Sequence, residues 1–520
     1  MEQLLFTGVT LFDGTGKEPF SADVAVRDDR IAAVAEAGSL KRTGCTLIEG
    51  KGLALTPGFV DVHSHSDARM LQIPTGDSKI SQGITTDISG NCGFSQYLAD
   101  VDDNDLEEHT ARVRGNFAAY ADVVEQAQGA MNSVHLCGHN SLREYVMGFD
   151  ERKPTAEEMR QMKELLADAL AHGAAGFSTG LAYLPGRYAD TEELKSLASV
   201  LKGTGKPYAT HIRSEGGTLL ESIEEAIDVA RAGDNNLQIS HLKTAGEANW
   251  HKLPAAFEIM ERAIAGGMDL LADRYPYIYS CTTLSIILPE PYNKIDNPTL
   301  CGKLKESAAF RSEVAEALKR HCSRDWNRML IVDSMDNSHA PYFGLNMVQI
   351  AEKMNCHPAE ATVMLLSSGT SPGAAFGTMC DENLERILAK PYVLPGSDAN
   401  IRSISDSGTH PRAFGTCPWF YRIAVKSDTP ASVIRRMSAL PCTKFNLESR
   451  GIIAPGYYAD LVLLDLDRFS SPADYAVPNR KAEGVSRVYV NGRLAFAEDP
   501  SLKTARPGRM LRIANKSNQP

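Results

Sequence analysis

Apolar and polar positions change rhythm twice along the chain. Over residues 1–56 they alternate in period two, at 23–26 and 31–34, between turns at 14–17 and 50–52. That rhythm predicts short strands and no helix. The far end behaves alike: residues 460–466 form a strand-like run, and 485–490 lead into Asn491-Gly492, a hairpin turn pair. Residues 1–56 and 446–520 together therefore predict one small β domain built from both termini. Between them, over 57–445, short apolar runs alternate with amphipathic helical stretches. Strands are expected to end near Val62, Ile88, Leu136, Ser178, Thr210, Ser240, Tyr275 and Gly396, with helices such as 157–171, 219–232, 252–264 and 382–389 between them. Eight strand–helix alternations predict an α/β fold, a (β/α)8 TIM-like barrel carrying a small β-sandwich domain. A doubly wound open sheet competes, but no Gly-rich phosphate fingerprint follows the first strand. Gly203-Thr204-Gly205-Lys206 has the wrong spacing for a phosphate loop. Residues 289–343 break the alternation with Pro289, Pro291 and Pro298 and a charged helical piece. Their departure after strand seven, on the catalytic side, predicts an insertion acting as a lid.

Composition narrows the class. In 520 residues, 54 Lys and Arg against 65 Asp and Glu give a net charge of −11, which disfavours nucleic-acid and anionic-membrane partners. No run of about 18 apolar residues exists to cross a membrane, and the first residues lack the basic start and apolar stretch of a secretory signal. Ten cysteines scattered singly fit a reducing, cytoplasmic location. A small-molecule enzyme is the expectation; nothing specifies an oligomeric state.

The sharpest local feature is Asp61-Val62-His63-Ser64-His65-Ser66 at the end of the first barrel strand. Alternation puts His63 and His65 on one side of the extended chain, where both imidazoles can meet one ion. Further candidates stand at the ends of later strands: Cys92 after strand two, His211 at strand five, His241 at strand six and Asp398 at strand eight. Singly, each has a plain alternative: a hydrogen-bonding histidine, a buried cysteine, a Gly-Ser-Asp turn. All of them at the carboxyl end of one barrel, where barrel chemistry sits, predict a metal site. Imidazole, thiolate and carboxylate together suit Zn2+. Lys243, two past His241, alternates to the same side of the strand and is placed to clamp an anion. Cys137, His139 and Arg143 near strand three are further candidates for the pocket.

These ligands resemble those of the amidohydrolase superfamily, metal-dependent hydrolases on a (β/α)8 barrel. Cys92 in place of a carboxylated lysine, the stretch 175–181 (Ala-Gly-Phe-Ser-Thr-Gly-Leu) and the stretch 410–416 (His-Pro-Arg-Ala-Phe-Gly-Thr) narrow the resemblance to the N-acyl-D-amino-acid deacylases, or D-aminoacylases. The resemblance covers nearly the whole chain. It implies a tightly held zinc on Cys92, His211 and His241, and a second, weaker position on His63, His65 and Asp398, with the thiolate able to bridge. It implies Asp398 as the general base that takes a proton from water and returns it to the departing amine. Lys243 and Tyr183 match positions that hold the substrate α-carboxylate, and Arg412 is a third candidate matched by motif. Relatives that prefer acidic side chains carry an arginine shortly after the motif seen here as Tyr275-Pro276-Tyr277. This chain instead reads Ser285-Ile286-Ile287-Leu288-Pro289 there. Tyr275 and Leu288 are accordingly expected at an apolar side-chain pocket, with Arg274 pointing away. Preference for the D form is carried by the resemblance alone.

Two other readings remain open at this stage. One keeps the barrel and metals but cleaves a cyclic amide, as dihydroorotases and hydantoinases do; the missing bridging lysine near strand four counts against it. The other is a catalytically inactive barrel that acts as a binding protein.

Overall fold

The computed structural model describes residues 3–41, 43–99, 113–322, 324–334 and 337–516. Its centre is a closed ring of parallel strands: Phe59–Asp61, Ile84–Ser89, Asn132–His135 continued by Cys137–Gly138, Phe177–Gly180, Tyr208–His211, Asn236–Ile239, Asp269–Arg274 and Val393–Pro395. Each pairs in parallel with the next in chain order. The third strand bridges its neighbours, with Leu136 N–H donating to Ser89 O and Cys137 N–H to Gly176 O. The ring closes where Val62 N–H meets Pro395 O at 3.4 Å and Ser64 pairs with Ala399. Every strand ends within two residues of the position expected from the apolar runs. The strands are buried at nearly every position. That burial is why they read as short continuous apolar runs rather than as alternating ones.

Helices cover the ring. The one expected over 157–171 runs Ala156–Ala171 and starts with a reciprocal cap in which Thr155 accepts the Glu158 N–H and Glu158 returns the bond. Leu219–Ala232, Leu253–Ala265 and Asp381–Leu388 lie within one residue of their expected spans.

Both termini build one eight-stranded sheet against the barrel. Leu461–Leu464 shows how: Leu461 and Leu463 face the sheet's own core with Phe6, Val24 and Leu55, while Val462 and Leu464 face the barrel core. Period-two alternation thus joins the two bodies through one strand. The expected hairpin is Val485–Val490 paired with Arg493–Ala497, and Asn491 and Gly492 both take positive φ, 48° and 76°. A two-residue turn that follows strand twist requires positive φ at both positions.

The excursion after strand seven is longer and more ordered than the 289–343 insertion expected. It is a folded unit running from Ser280 to Phe376, with an antiparallel sheet of Ser280–Thr283, Gly373–Phe376 and Met329–Asp333. Helices Asn297–Glu306, Ala308–His321, Met347–Met354 and Pro358–Leu366 pack on it around a separate core that includes Leu300, Leu318, Ile331, Ile350 and Leu366. The apolar stretches beyond residue 343 belong to this core, which is why a boundary drawn at the proline-rich segment stops short.

Candidate metal centre

The carboxyl end of the ring gathers His63, His65, Cys92, His211, His241 and Asp398. One donor atom each from His63, His65, Cys92 and Asp398 lies within 4.8 Å of the others, and the same holds for Cys92, His211 and His241. Cys92 belongs to both groups. Its Sγ is 3.3 Å from His63 Nε2, 3.5 Å from His241 Nε2 and 3.7 Å from His211 Nδ1. Asp398 Oδ1 is 3.0 Å from His65 Nε2 and 3.5 Å from His63 Nε2.

Local backbone explains how residues so far apart in sequence converge. Cys92, His241 and Asp398 have φ of 52°, 34° and 51°, the left-handed region that residues with a Cβ rarely occupy and that clusters at functional sites. Each sits where a strand has just ended, so the turn re-aims the side chain across the barrel mouth. The Cys92 loop lies tight on strand four: a Cβ on Gly180 would stand 2.0 Å from Cys92 O. Gly93 N–H donates to Ser178 Oγ at 3.1 Å, which fixes the loop from the same side.

Carboxylates behind the histidines fix their orientation. Asp273 Oδ1 accepts the His241 N–H at 2.8 Å and stands 3.1 Å from His63 Nδ1, while Gln238 donates to its Oδ2 at 2.9 Å. Glu215 Oε1 is 2.8 Å from His241 Nδ1 and pairs with Lys243. A carboxylate near the far ring nitrogen raises the basicity of the ligating one; His241 Nδ1 has Lys243 Nζ beside it as well, at 2.7 Å. Neither carboxylate was singled out from the sequence, although both leave a trace. Asp273 is a charged residue closing the apolar run of strand seven, the one late strand without an assigned ligand, and Glu215 follows His211 by four.

The acidic donors are held deprotonated by their neighbours. Burial pushes the Cys92 thiol up, but the His63 imidazole and hydrogen bonds from His211, His241 and His63 outweigh it and hold the thiol well below its usual range. Burial also disfavours a charged Asp398, yet the Arg412 guanidinium, His241, His65 and His63 keep its carboxyl well below the carboxylate range. His65 is pushed up to about 9, because the hydrogen bonds to Asp398 and Cys92 overcome the effect of burial. Thiolate and carboxylate are therefore held in their anionic, ligating form. Nitrogen, sulfur and oxygen donors in two overlapping groups fit a pair of zinc-like ions.

A cavity of about 600 Å3 opens over the centre, lined by His65, Cys92 and Asp398 from the barrel and by excursion residues including Ser285, Ile286 and Asp333. Tyr183 lines it, its ring 4.8 Å from that of His211. Arg412 lines it too and donates to Asp398 Oδ2 at 2.8 Å. Lys243 is buried, with Nζ 2.7 Å from His241 Nδ1 and paired with Glu215. Tyr275 is fully buried and, like Lys243, does not line the cavity, contrary to expectation. Its ring lies 4.7 Å from the Arg412 guanidinium and 5.8 Å from Lys243 Nζ, and its hydroxyl has no partner among the described residues. Leu288 departs from expectation: it packs into the excursion core, because the turn at Leu284–Ile287 rotates it inward and leaves Ser285 and Ile286 at the cavity. Arg274 does not line the cavity, but it does not point away from Tyr275 as expected: it donates to Tyr277 O at 2.6 Å and its guanidinium lies over the Tyr275 ring at 4.1 Å. Of the strand-three candidates, Cys137 contacts Tyr97, while His139 and Arg143 both bind Glu193. None of the three lines the cavity.

The pattern of the Amidohydrolase family matches residues 46–331. The chain is 31% identical to an N-acyl-D-glutamate deacylase of Alcaligenes xylosoxydans xylosoxydans over 519 residues, covering 98% of this chain and 96% of that protein. It is also 31% identical to a D-aminoacylase of the same organism, covering 95% and 94%. Among solved structures it resembles N-acyl-D-glutamate deacylase from Bordetella bronchiseptica, complexed with zinc and a phosphonate mimic of the tetrahedral intermediate. That likeness has a TM-score of 0.81 and 30% identity, and covers 98% of this chain and 99% of that one. Fold, site and likeness together define a hydrolase barrel. The chain belongs to the amidohydrolase family and is an enzyme of that class. Among the described residues no helix is long and apolar enough to cross a membrane.

Proposed function

We propose that this enzyme hydrolyses the amide bond of N-acyl-D-amino acids with apolar side chains, yielding a carboxylate and the free D-amino acid. The observation that carries the reading is the Cys92 thiolate shared by two ligand groups at one barrel end, set in a chain alike over nearly its whole length to the deacylases. Cys92, His211 and His241 would hold one zinc, and His63, His65 and Asp398 a second, weaker one. Zinc, when bound, supplies Lewis-acid polarisation of the acyl carbonyl and acidifies water.

The chain's own groups do the rest. Arg412 occupies Asp398 Oδ2 and leaves Oδ1 facing the histidines, so the carboxylate has one orientation in which to take a proton from the attacking water. The same group then delivers that proton to the departing nitrogen. Arg412 and Tyr183 line the cavity and would hold an α-carboxylate; Lys243, buried beside Glu215, is the third candidate for that role. Leu184, Ile286 and Ile295 support an apolar side chain. Arg402, also at the cavity, is already paired with Asp333. A cyclic-amide hydrolase would bridge its metals with a carboxylated lysine. Here the shared donor is a thiolate, and the nearby Lys79 and Lys243 are tied to carboxylates.

Free-amine release from N-acetyl-D-leucine, N-acetyl-L-leucine and N-acetyl-D-glutamate, run beside an elemental zinc count, tests this. The D-leucine derivative is expected to turn over at least about tenfold faster than either other substrate, a margin worth about 1.4 kcal/mol. Near-equal rates on the D-glutamate derivative would overturn the apolar preference; no turnover on any acyl amino acid would overturn the deacylase reading.

A further inference from the structure

Beneath the ligands lies a buried charge that the reaction does not use. Alternation along 63–66 sends His63 and His65 into the site and turns Ser64 and Ser66 the other way, where Ser64 Oγ meets Lys79 and stands 2.6 Å from Ser66 Oγ. Lys79 is fully buried. Its Nζ donates to Asp61 Oδ2 at 2.5 Å, Ser397 Oγ at 2.6 Å, Ala399 O at 3.0 Å and Ser64 Oγ at 3.4 Å, and stands 3.4 Å from Asp87 Oδ1. These partners belong to the ends of strands one, two and eight. Asp61, held by Lys79, in turn accepts the N–H of His63 at 3.2 Å through Oδ1 and that of Ser397 at 2.8 Å. Asp398 sits between two Lys79 contacts, Ser397 and Ala399, and its own N–H donates to His63 O at 2.7 Å.

We propose that Lys79 is a positioning residue for one half of the metal centre, fastening the backbone turns that present His63, His65 and Asp398. Its one contact toward the other group is with Asp87 in strand two, five residues before Cys92; the turns of Cys92 and His241 are placed by Ser178, Asp273 and Glu215. An ammonium ion suits the task because its donors reach several acceptors at once. Without it, Asp61 and Asp87 would face each other in a buried space without a counter-charge, and the turn at Asp398, left-handed at φ 51°, would lose two of its anchors.

The inference rests on zinc binding at this site and not on the substrate, so the test is a zinc titration against a chromophoric chelator. Lys79→Met is expected to lower the affinity of the weaker zinc about 10- to 100-fold, the usual effect of removing an outer-shell partner, while the tighter zinc stays within about twofold. Ser397→Ala keeps the buried charge and removes one anchor, so it is expected to weaken the same zinc by about threefold. It carries the test should Lys79→Met not fold. Lys206→Met removes another buried lysine, one that bonds Leu170 O away from the site, and is expected to leave both affinities unchanged. Two zinc affinities that fall together, or a weaker zinc indifferent to Ser397→Ala, overturn the proposal, as does a parent protein that takes up one zinc only. A parent that binds no zinc sinks the metal reading itself.

Discussion

The two ligand groups share Cys92 yet are built differently. Cys92, His211 and His241 are all buried, whereas in the other group His65 is 28% exposed and Asp398 12% at the side chain. The first group is backed by carboxylates, Glu215 behind His241 and Asp273 beneath it. Lys243 also stands 2.7 Å from His241 Nδ1; the second group has Asp273 behind His63, Arg412 on Asp398 and Lys79 under the backbone. Asp273 reaches one histidine of each group. The contrast teaches that a single barrel end can hold one position that is shielded and charge-compensated and one that is open to the cavity and to substrate. Ligand basicity favours tight binding at the first, and the exposed carboxylate suits proton transfer at the second.

Three substitutions test that contrast. The largest effect is expected at Asp398→Asn, which keeps the shape and removes the proposed base: kcat should fall at least about a thousandfold with an unchanged circular dichroism spectrum. Full activity in this variant would remove Asp398 from the chemistry. Glu215→Gln strikes the shielded group and should lower the tighter zinc's affinity about 10- to 100-fold in a metal titration. Because Glu215 makes no contact with His63, His65 or Asp398, a larger loss at the weaker zinc would erase the distinction between the groups. Lys243→Ala should raise KM about tenfold with a smaller change in kcat, since the proposed α-carboxylate contact would be made in the ground state. Equal losses in kcat and kcat/KM would instead show that Lys243 acts through His241.

Much of this was legible in one dimension. Alternation in period two and the helical period set the order of strands and helices, and the Asn491-Gly492 pair announced its hairpin. The candidate ligands were legible because a barrel places chemistry at strand ends, and strand ends are marked by where an apolar run stops. Side chains whose role lies in what they touch were not legible. Lys79 sits in a short helical turn between strands one and two and reads like any surface lysine, and Glu215 reads like a solvated loop residue. Leu288 looked like pocket lining because sequence does not reveal which way a short turn rotates its residues. The excursion's true extent was hidden for a related reason: its sheet pairs Ser280–Thr283 with Gly373–Phe376, and contacts so distant in sequence leave no local period. Local periodicity, which depends only on neighbouring residues, determined the elements and pointed to the candidate ligands at their ends. The orientation of each ligand and the burial of the charges behind it depend on residues brought together from distant strands, and only the tertiary structure decided those.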